Sequence, residues 1–338
     1  MALQFILGPS GAGKSEYIYE DIIRRTMQDE RENVIVLVPE QYSLEIQRKL
    51  VQKHPRGGSF QIDVIGFNRL AYRIFDELHI KPKKVLEDFG KSMLLRKAAQ
   101  EHKEELSLYA GSLDKAGFID EAKSLMSEIY QYDIPRERLR EALQKLDDSE
   151  EARVLARKLQ DMLVIFDAFE EKKGQSFIVA EQMLELLTAA AEQSEMIAGS
   201  EIVLDGFTGF TPIQLNLISV LLRRAKKVTI VLTIDAANYE KKHVAEHELF
   251  ALTKQTIEHL LLTAEQAHVV VEPALFLGKD GCKRWSKGHP LAHLEQNLFR
   301  YPYRVGKDEE QAITITAYDT PAQELTGVAE QIRTLVME

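Results

Sequence analysis

Short apolar runs alternate along the chain with longer segments whose apolar residues recur at helical spacing. Leu3–Leu7 has the pattern of a short buried strand; a glycine-rich stretch follows, and then an amphipathic segment, Ser15–Met27. Asn33–Val38 is β-branched, preceded by the charged run Asp29-Glu30-Arg31-Glu32 and closed by Pro39, which predicts a second strand. Ser43–Lys53 reads as a helix with Ser43 as its N-cap. Gln61–Ile65 reads as a third strand, and Asn68–Leu78 as the helix after it. Strands and helices alternating at this spacing predict an α/β domain with a parallel sheet covered on both faces.

From about Leu86 to Glu195 the strand signal disappears. Leucine, alanine, glutamate and lysine dominate, and apolar residues fall at helical spacing in Met93–Ala99, Ile119–Tyr130 and Leu155–Phe169. An all-helical block inserted into the sheet domain is expected. The sheet resumes at Glu201–Leu204, followed by a helix at Gln214–Arg224 and a strand at Val228–Ile234; Val269–Val271 and Ile313–Thr316 are further strand candidates. The expected organisation is a discontinuous sheet domain (1–84 and 196–308), an inserted helical domain (85–195) and the start of a further domain (309–338). Ala322–Glu338 reads as a helix with no cap and no closing strand, so a longer polypeptide is expected.

Composition adds constraints. At 338 residues and 45% hydrophobic content the chain can bury about two cores. Its longest apolar runs, such as Val34–Val38 and Val228–Ile234, fall far below the roughly 20 residues needed to cross a bilayer. The N-terminus has no basic stretch, apolar core and cleavage site in succession, so no membrane association and a cytoplasmic location are expected. A single cysteine, Cys282, excludes an internal disulfide and a cysteine-held metal cluster within the chain. The formal charge of −10 lends no support to nucleic-acid binding, which usually draws on a basic surface.

The strongest chemical signal is Gly8-Pro9-Ser10-Gly11-Ala12-Gly13-Lys14-Ser15, which matches G-x-x-x-x-G-K-[ST] in full, with a strand before it and a helix after it. Glycines let successive backbone N–H groups turn toward one anion, and the following helix points its positive dipole end at the same place. In such a loop Lys14 reaches the β- and γ-phosphates of a nucleoside triphosphate, and the Ser15 hydroxyl holds Mg²⁺. The alternative is an ordinary glycine turn.

The string GPSGAGKS taken alone resembles a guanylate-kinase P-loop. The chain after it does not: the next strand leads to Val38-Pro39-Glu40-Gln41-Tyr42-Ser43, and a compact nucleotide kinase has no place for the helical insertion. The wider pattern resembles the AddB family, the B subunits of the bacterial ATP-dependent helicase/deoxyribonuclease AddAB (RexAB). The segments that carry the resemblance are FILGPSGAGKS at Phe5–Ser15, LVPEQYS at Leu37–Ser43, VIGFNRLAYRIF at Val64–Phe75, VLDGFTGFTPIQ at Val203–Gln214, HPLAHLEQNLF at His289–Phe299 and ITAYDTPAQELTGVAEQI at Ile315–Ile332.

The resemblance implies a P-loop fold of the superfamily 1 helicase type, ATP and Mg²⁺ as ligands, an AddA partner subunit, single-stranded DNA, and a role in processing DNA double-strand breaks for recombinational repair. Family members are several times longer, so their iron–sulfur (4Fe-4S) nuclease domain is expected outside this chain. In related helicases the acidic strand end reads Asp-Glu: the aspartate holds Mg²⁺ and the glutamate activates water. Here those positions are Asp205 and Gly206, and glycine cannot accept a proton. Leu232-Thr233-Ile234-Asp235-Ala236-Ala237 likewise lacks a glutamine that would sense the γ-phosphate. Loss of a general base costs about 10²–10⁴ in rate. The expectation is therefore nucleotide binding with little turnover, unless Asp235 or another carboxylate substitutes. Asp205 read structurally is a turn residue at a strand end.

Loops at the carboxyl ends of the strands carry groups suited to a DNA strand: Gln41 and Ser43 for hydrogen bonding, Phe67 and Arg69 for stacking and charge, Phe207 and Phe210 around a Thr-Gly pair. In AddB, by resemblance, this path is implicated in recognising Chi. The alternative makes Phe67 and Phe207 core residues. Arg223-Arg224-Ala225-Lys226-Lys227 reads as a solvated helix end. A rival chemistry is offered by His243-Val244-Ala245-Glu246-His247, which fits the H-x-x-E-H zinc-protease pattern with Glu324 as a conceivable third ligand. A P-loop module that only scaffolds a partner is the remaining alternative.

Overall fold

In the computed structural model, which describes residues 1–337 except 82, 116, 148, 243, 279–281, 287, 308 and 310, the N-terminal strand β1 (Ala2–Gly8) is buried from Phe5 onward and leads into α1 (Lys14–Gln28). Then follow β2 (Asn33–Leu37), α2 (Ser43–Lys53), β3 (Ile62–Ile65) and α3 (Phe67–Glu77). A two-residue strand β4 (Lys84–Val85) opens the helical region of α4 (Asp88–Glu101), α5 (Phe118–Gln131), α6 (Arg136–Gln144) and α7 (Glu150–Lys173), and β5 (Phe177–Ile178) closes it by pairing with β4 in parallel. After α8 (Ala180–Ala191) and the single turn α9 (Glu195–Ala198) the chain returns to the sheet through β6 (Ser200–Leu204), α10 (Pro212–Arg224) and β7 (Lys227–Thr233). The last part holds α11 (Ala236–Glu240), α12 (Ala251–Gln266), β8 (Val270–Val271), β9 (Leu275–Phe276), α13 (Pro290–Asn297) and α14 (Pro321–Met337).

The main sheet is parallel throughout, in the order β3-β2-β6-β7-β1-β8, with β9 also paired to β1. Its central strands read as unbroken apolar runs because helices cover both faces. Phe5, Leu7, Leu37, Ile202, Leu204, Ile230 and Leu232 point to one core with α3, α8, α10 and α12. Ile6, Val34, Val36, Val203 and Val231 point to the other, under α1 and α2. Burying each such side chain contributes about 1.5–3 kcal/mol.

The helical region has its own core, built from Leu95, Ala98, Ile119, Met126, Phe166 and Phe169. Its connection from α4 to α5 is pinned by Asp161 on α7. That carboxylate accepts the amides of Ser107, Leu108 and Tyr109 at 2.8, 2.7 and 2.8 Å. Burial pushes the Asp161 pKa up, and the backbone donors outweigh it, leaving the carboxyl below its ordinary value. Helix α8 belongs by packing to the sheet: Met183, Leu187 and Ala190 lie in the main core.

Three sequence expectations need correction. Ser43 is not an N-cap: its backbone is helical (φ −56°, ψ −44°), the cap position belongs to Tyr42, and the Ser43 hydroxyl donates to the Glu40 carbonyl. Ile313–Thr316 forms no strand; the alternation of apolar and polar residues is there, but Ile315 is exposed with no strand beside it. The block from 86 to 195 is not purely helical, since β5 lies inside it.

Candidate functional site

Every strand of the main sheet points the same way, so the loops that follow β1, β2, β3, β6 and β7 gather along one edge. Residues Gly8–Ser15 wrap the end of β1. Gly8, Gly11 and Gly13 adopt φ of 159°, 70° and 83°, and a side chain at Gly8 would come within 2.5 Å of the Leu277 carbonyl. Positive φ at Gly11 and Gly13 is what turns the loop around on itself and delivers it to the start of α1. Among the described residues, no acceptor takes the amides of Gly11, Gly13, Lys14 or Ser15. These donors lie at the N-terminus of a fifteen-residue helix, where the helix dipole adds partial positive charge.

Lys14 is 9% exposed, and its ammonium closes the loop by donating to the carbonyls of Gly8 at 2.9 Å and Pro9 at 2.8 Å. Burial lowers its pKa to about 8, against the opposing pull of the Asp205 and Glu295 carboxylates. Asp205, at the end of β6, is 5% exposed; the Tyr19 phenol donates to its Oδ2 at 2.6 Å. Burial and the adjacent Asp205 charge raise the Tyr19 pKa, so the phenol remains a donor. Strand β7 separates β1 from β6, which places the Gly8–Ser15 loop and Asp205 about 10 Å apart in the sheet plane.

Between them lies a cleft of about 620 Å³ lined by Ser10, Gly11, Gly13–Tyr17 and Tyr19 on one side and Asp205–Thr208 on the other. Sequence reasoning did not anticipate Tyr19, Lys49, Lys283 or Arg284, all of which line it as well. Tyr19 was within reach of that reasoning, since it follows Ser15 by one helical turn. The other three come from distant segments and carried no local signal.

Gly206 sits at φ 83°, a backbone shape that side chains rarely adopt. Asp235 is not a free carboxylate: it caps α11 by accepting the Asn238 amide at 2.7 Å, takes the Asn238 side chain at 2.9 Å, and pairs with Arg300 at 2.7 Å.

The six residues expected to face a DNA strand lie at the β3-β2-β6 side of the same edge: Gln41 in the turn after β2, Ser43 at the start of α2, Phe67 and Arg69 in the first turn of α3, and Phe207 and Phe210 in the loop after β6. Phe67 and Phe207 lie 5.4 Å apart and Phe207 and Phe210 5.3 Å, both pairs tilted, so the three rings make one cluster. All three are half-buried and rest on the main core, which limits the ring area left for stacking. Gln41 and Arg69 are exposed beside them, and Ser43 is half-buried. Glu40 plays a structural part, because its carboxylate accepts the Asn68 amide at 3.1 Å and so caps α3 from the loop after β2; a side chain at Gly66 would collide with it.

The zinc-protease pattern finds no support. His243 lies outside the described residues, Val244–Phe250 contains turns rather than a helix, and among the described residues no three His, Cys, Asp or Glu side chains converge as a metal site. In the basic run that leads into β7, Arg224 pairs with Glu195 at 3.7 Å, Lys227 with Glu272 at 2.7 Å, and Arg223 with Glu192. Among the described residues, no helix is long and apolar enough to cross a membrane.

Comparison with known proteins accords with this architecture. Residues 5–295 match the family described as ADDB, N-terminal. The chain is 37% identical over its full length to the B subunit of the ATP-dependent helicase/deoxyribonuclease of Lachnoclostridium phytofermentans. It is 30% identical to the protein of the same name from Clostridium novyi and 31% to that from Clostridioides difficile, again over its whole length. In each case it spans 29% of the relative. With most of the chain covered by the family's pattern, the protein belongs to the AddB N-terminal family.

Proposed function

We propose that this chain is the ATP-binding, helicase-like part of the B subunit of a helicase/deoxyribonuclease, and that it holds Mg-ATP on the Gly8–Ser15 loop with little turnover. The observation that carries the reading is the set of amides at Gly11, Gly13, Lys14 and Ser15 with no acceptor among the described residues, facing a cleft whose opposite wall is Asp205. A triphosphate satisfies those donors, and Lys14 exchanges its two carbonyl partners for phosphate oxygens. The hydroxyl of Ser15 and the carboxylate of Asp205 suit a hard cation that prefers oxygen ligands, with Tyr19 orienting the carboxylate. Such a cation supplies charge neutralisation between the phosphates.

Efficient hydrolysis needs a proton acceptor beside the γ-phosphate. Gly206 cannot serve, and Asp235 is saturated by two hydrogen bonds from Asn238 and the Arg300 ion pair. The site on this reading grips nucleotide and does not drive translocation. The exposed Gln41 and Arg69 with the Phe67, Phe207 and Phe210 cluster provide the single-stranded DNA path along the adjoining part of the same sheet edge. Within a two-subunit helicase–nuclease acting on broken DNA ends, the AddA partner would supply the motor activity.

Calorimetric titration with ATPγS and Mg²⁺, on the wild-type chain and Lys14→Ala, tests the nucleotide site. Binding by the wild type and its loss in the variant are expected; equal affinity in both would remove the assignment. Titration of a fluorescent single strand into wild type and a Phe207→Ala/Arg69→Ala pair tests the DNA path, with weaker binding expected in the double variant.

A further inference from the structure

Four residues far along the chain, Cys282–Trp285, lie across the mouth of the Gly8–Ser15 loop. The backbone amides of Lys283 and Arg284 both donate to the Gly11 carbonyl, at 2.9 and 3.2 Å, so the segment is docked by its main chain. Contacts from the loop side agree. A side chain at Gly13 would meet the Lys283 stem at 3.3 Å, and one at Gly11 would meet Arg284 at 3.2 Å and Trp285 at 3.6 Å. Glycine at both positions is therefore required twice, by backbone shape and by the closeness of this segment.

Docked in this way, Lys283 and Arg284 line the cleft together with Ser10, Lys14, Ser15 and Asp205. Both side chains are exposed, and among the described residues neither forms an ion pair with a carboxylate. Other cations on this acidic chain are held by carboxylates: Arg223, Arg224 and Lys227, for example, pair with glutamates. The Arg284 guanidinium is steadied over the Trp285 ring, 5.7 Å from its centroid. Its charge also acts on Lys14. Lys14, Lys49, Lys283 and Arg284 thus line one cleft, together with the carboxylates of Glu16, Glu20 and Asp205, in a protein whose net charge is −10. The like charges of Arg284 and Lys14 repel one another, and a bound polyanion relieves that repulsion.

We propose that Lys283 and Arg284 form a second-segment phosphate clamp, which binds the polyphosphate tail of the nucleotide held by the Gly8–Ser15 loop. This rests on the nucleotide-site reading above and adds to it: the clamp recognises phosphate and ignores base and ribose. The main-chain bonds to Gly11 fix the segment, so the side chains close on the ligand while the loop itself stays in place. Segment 282–285 also lies far in sequence from Lys14, so nucleotide binding couples the start of the chain to the region that leads into α13.

The test is calorimetric titration of the wild type, Lys14→Ala, and Lys283→Ala/Arg284→Ala with two probes, ATPγS and inorganic tripolyphosphate, each with Mg²⁺. Both substitutions are at exposed side chains whose docking bonds are main-chain, and circular dichroism verifies that the fold persists. The clamp predicts that the double variant loses about fivefold or more in affinity for both probes. A loss below that, or one confined to ATPγS, overturns the clamp and leaves the Gly8–Ser15 site standing. Tighter binding by the double variant also overturns it, by showing that the segment obstructs the site. If the wild type binds neither probe, the nucleotide-site reading itself fails and the clamp falls with it.

Discussion

Raising the pH should weaken nucleotide binding through one group, Lys14. Burial lowers its pKa to about 8 in the empty site, so its charge is partly lost above neutrality. A bound triphosphate favours the ammonium and returns the pKa toward the ordinary lysine value of about 10.4. The folded, ligand-free protein therefore loses the proton through about pH 8, whereas the complex keeps it for roughly two further pH units. Below that window both forms are protonated and affinity is insensitive to Lys14. Within it, binding takes up a proton, and affinity falls as pH rises. From about pH 7.5 to about pH 9.5, the two pKa values give a fall of roughly twentyfold. Near pH 8.5 the uptake is about 0.7–0.8 proton per nucleotide. Titration calorimetry in buffers of differing ionisation enthalpy measures that uptake directly, at pH values where the phosphates are already ionised. Lys14→Arg supplies the control, since a guanidinium keeps its charge across the range and should flatten the slope. A wild-type affinity independent of pH over this window, with no proton uptake, would refute the role assigned to Lys14.

Other expectations follow from single contacts. Asp161→Asn should lower the melting temperature by removing a charge that accepts three backbone amides, at a cost of about 2–3 kcal/mol; because the folded pKa is depressed, this stabilisation is present above the unfolded value and disappears as pH falls through the folded one, and an acid titration of the wild type should show it. Tyr19→Phe leaves the buried Asp205 oxygen without its 2.6 Å donor, so the empty protein should melt lower, and Mg-ATPγS should recover more of the stability than it adds to the wild type; an unchanged melting temperature contradicts the contact. Gly206→Glu should not create an ATPase, because φ of 83° disfavours any side chain by about 1–2 kcal/mol; a phosphate-release assay showing brisk turnover would argue against this account.

The parallel strands were legible because burial on both faces leaves little room for polar residues. Asn33–Val38 and Val228–Ile234 stand out as β-branched runs, and the observed strands differ from them by one residue at one or both ends. β4 and β5 could not be read, since two residues display no period. Ile313–Thr316 shows the opposite failure: alternation describes a strand only where a neighbouring strand accepts its hydrogen bonds, and Ile315 has none and is exposed. At the candidate site, the Gly8–Ser15 turn was legible because its left-handed backbone at Gly11 and Gly13 calls for glycine at fixed spacing along one segment. Lys283 and Arg284 were not, because their position depends on main-chain bonds to Gly11 from a segment about 270 residues away. Asp205 was located from its strand end; Tyr19 lies one helical turn past Ser15 in the sequence, and its hydrogen bond to Asp205 joins α1 to the end of β6. Ser43 misled because a serine at a helix start is usually a cap, whereas here the 3₁₀ turn at Glu40–Tyr42 enters the helix directly.

The most direct measurement incubates the purified chain with Mg²⁺ and labelled ATP, recovers the protein with its bound label, and separates that label by chromatography. The account predicts stoichiometric retention of intact ATP in the wild type and background retention in Lys14→Ala. No retained label, or label recovered as ADP with continuing phosphate release, would contradict it.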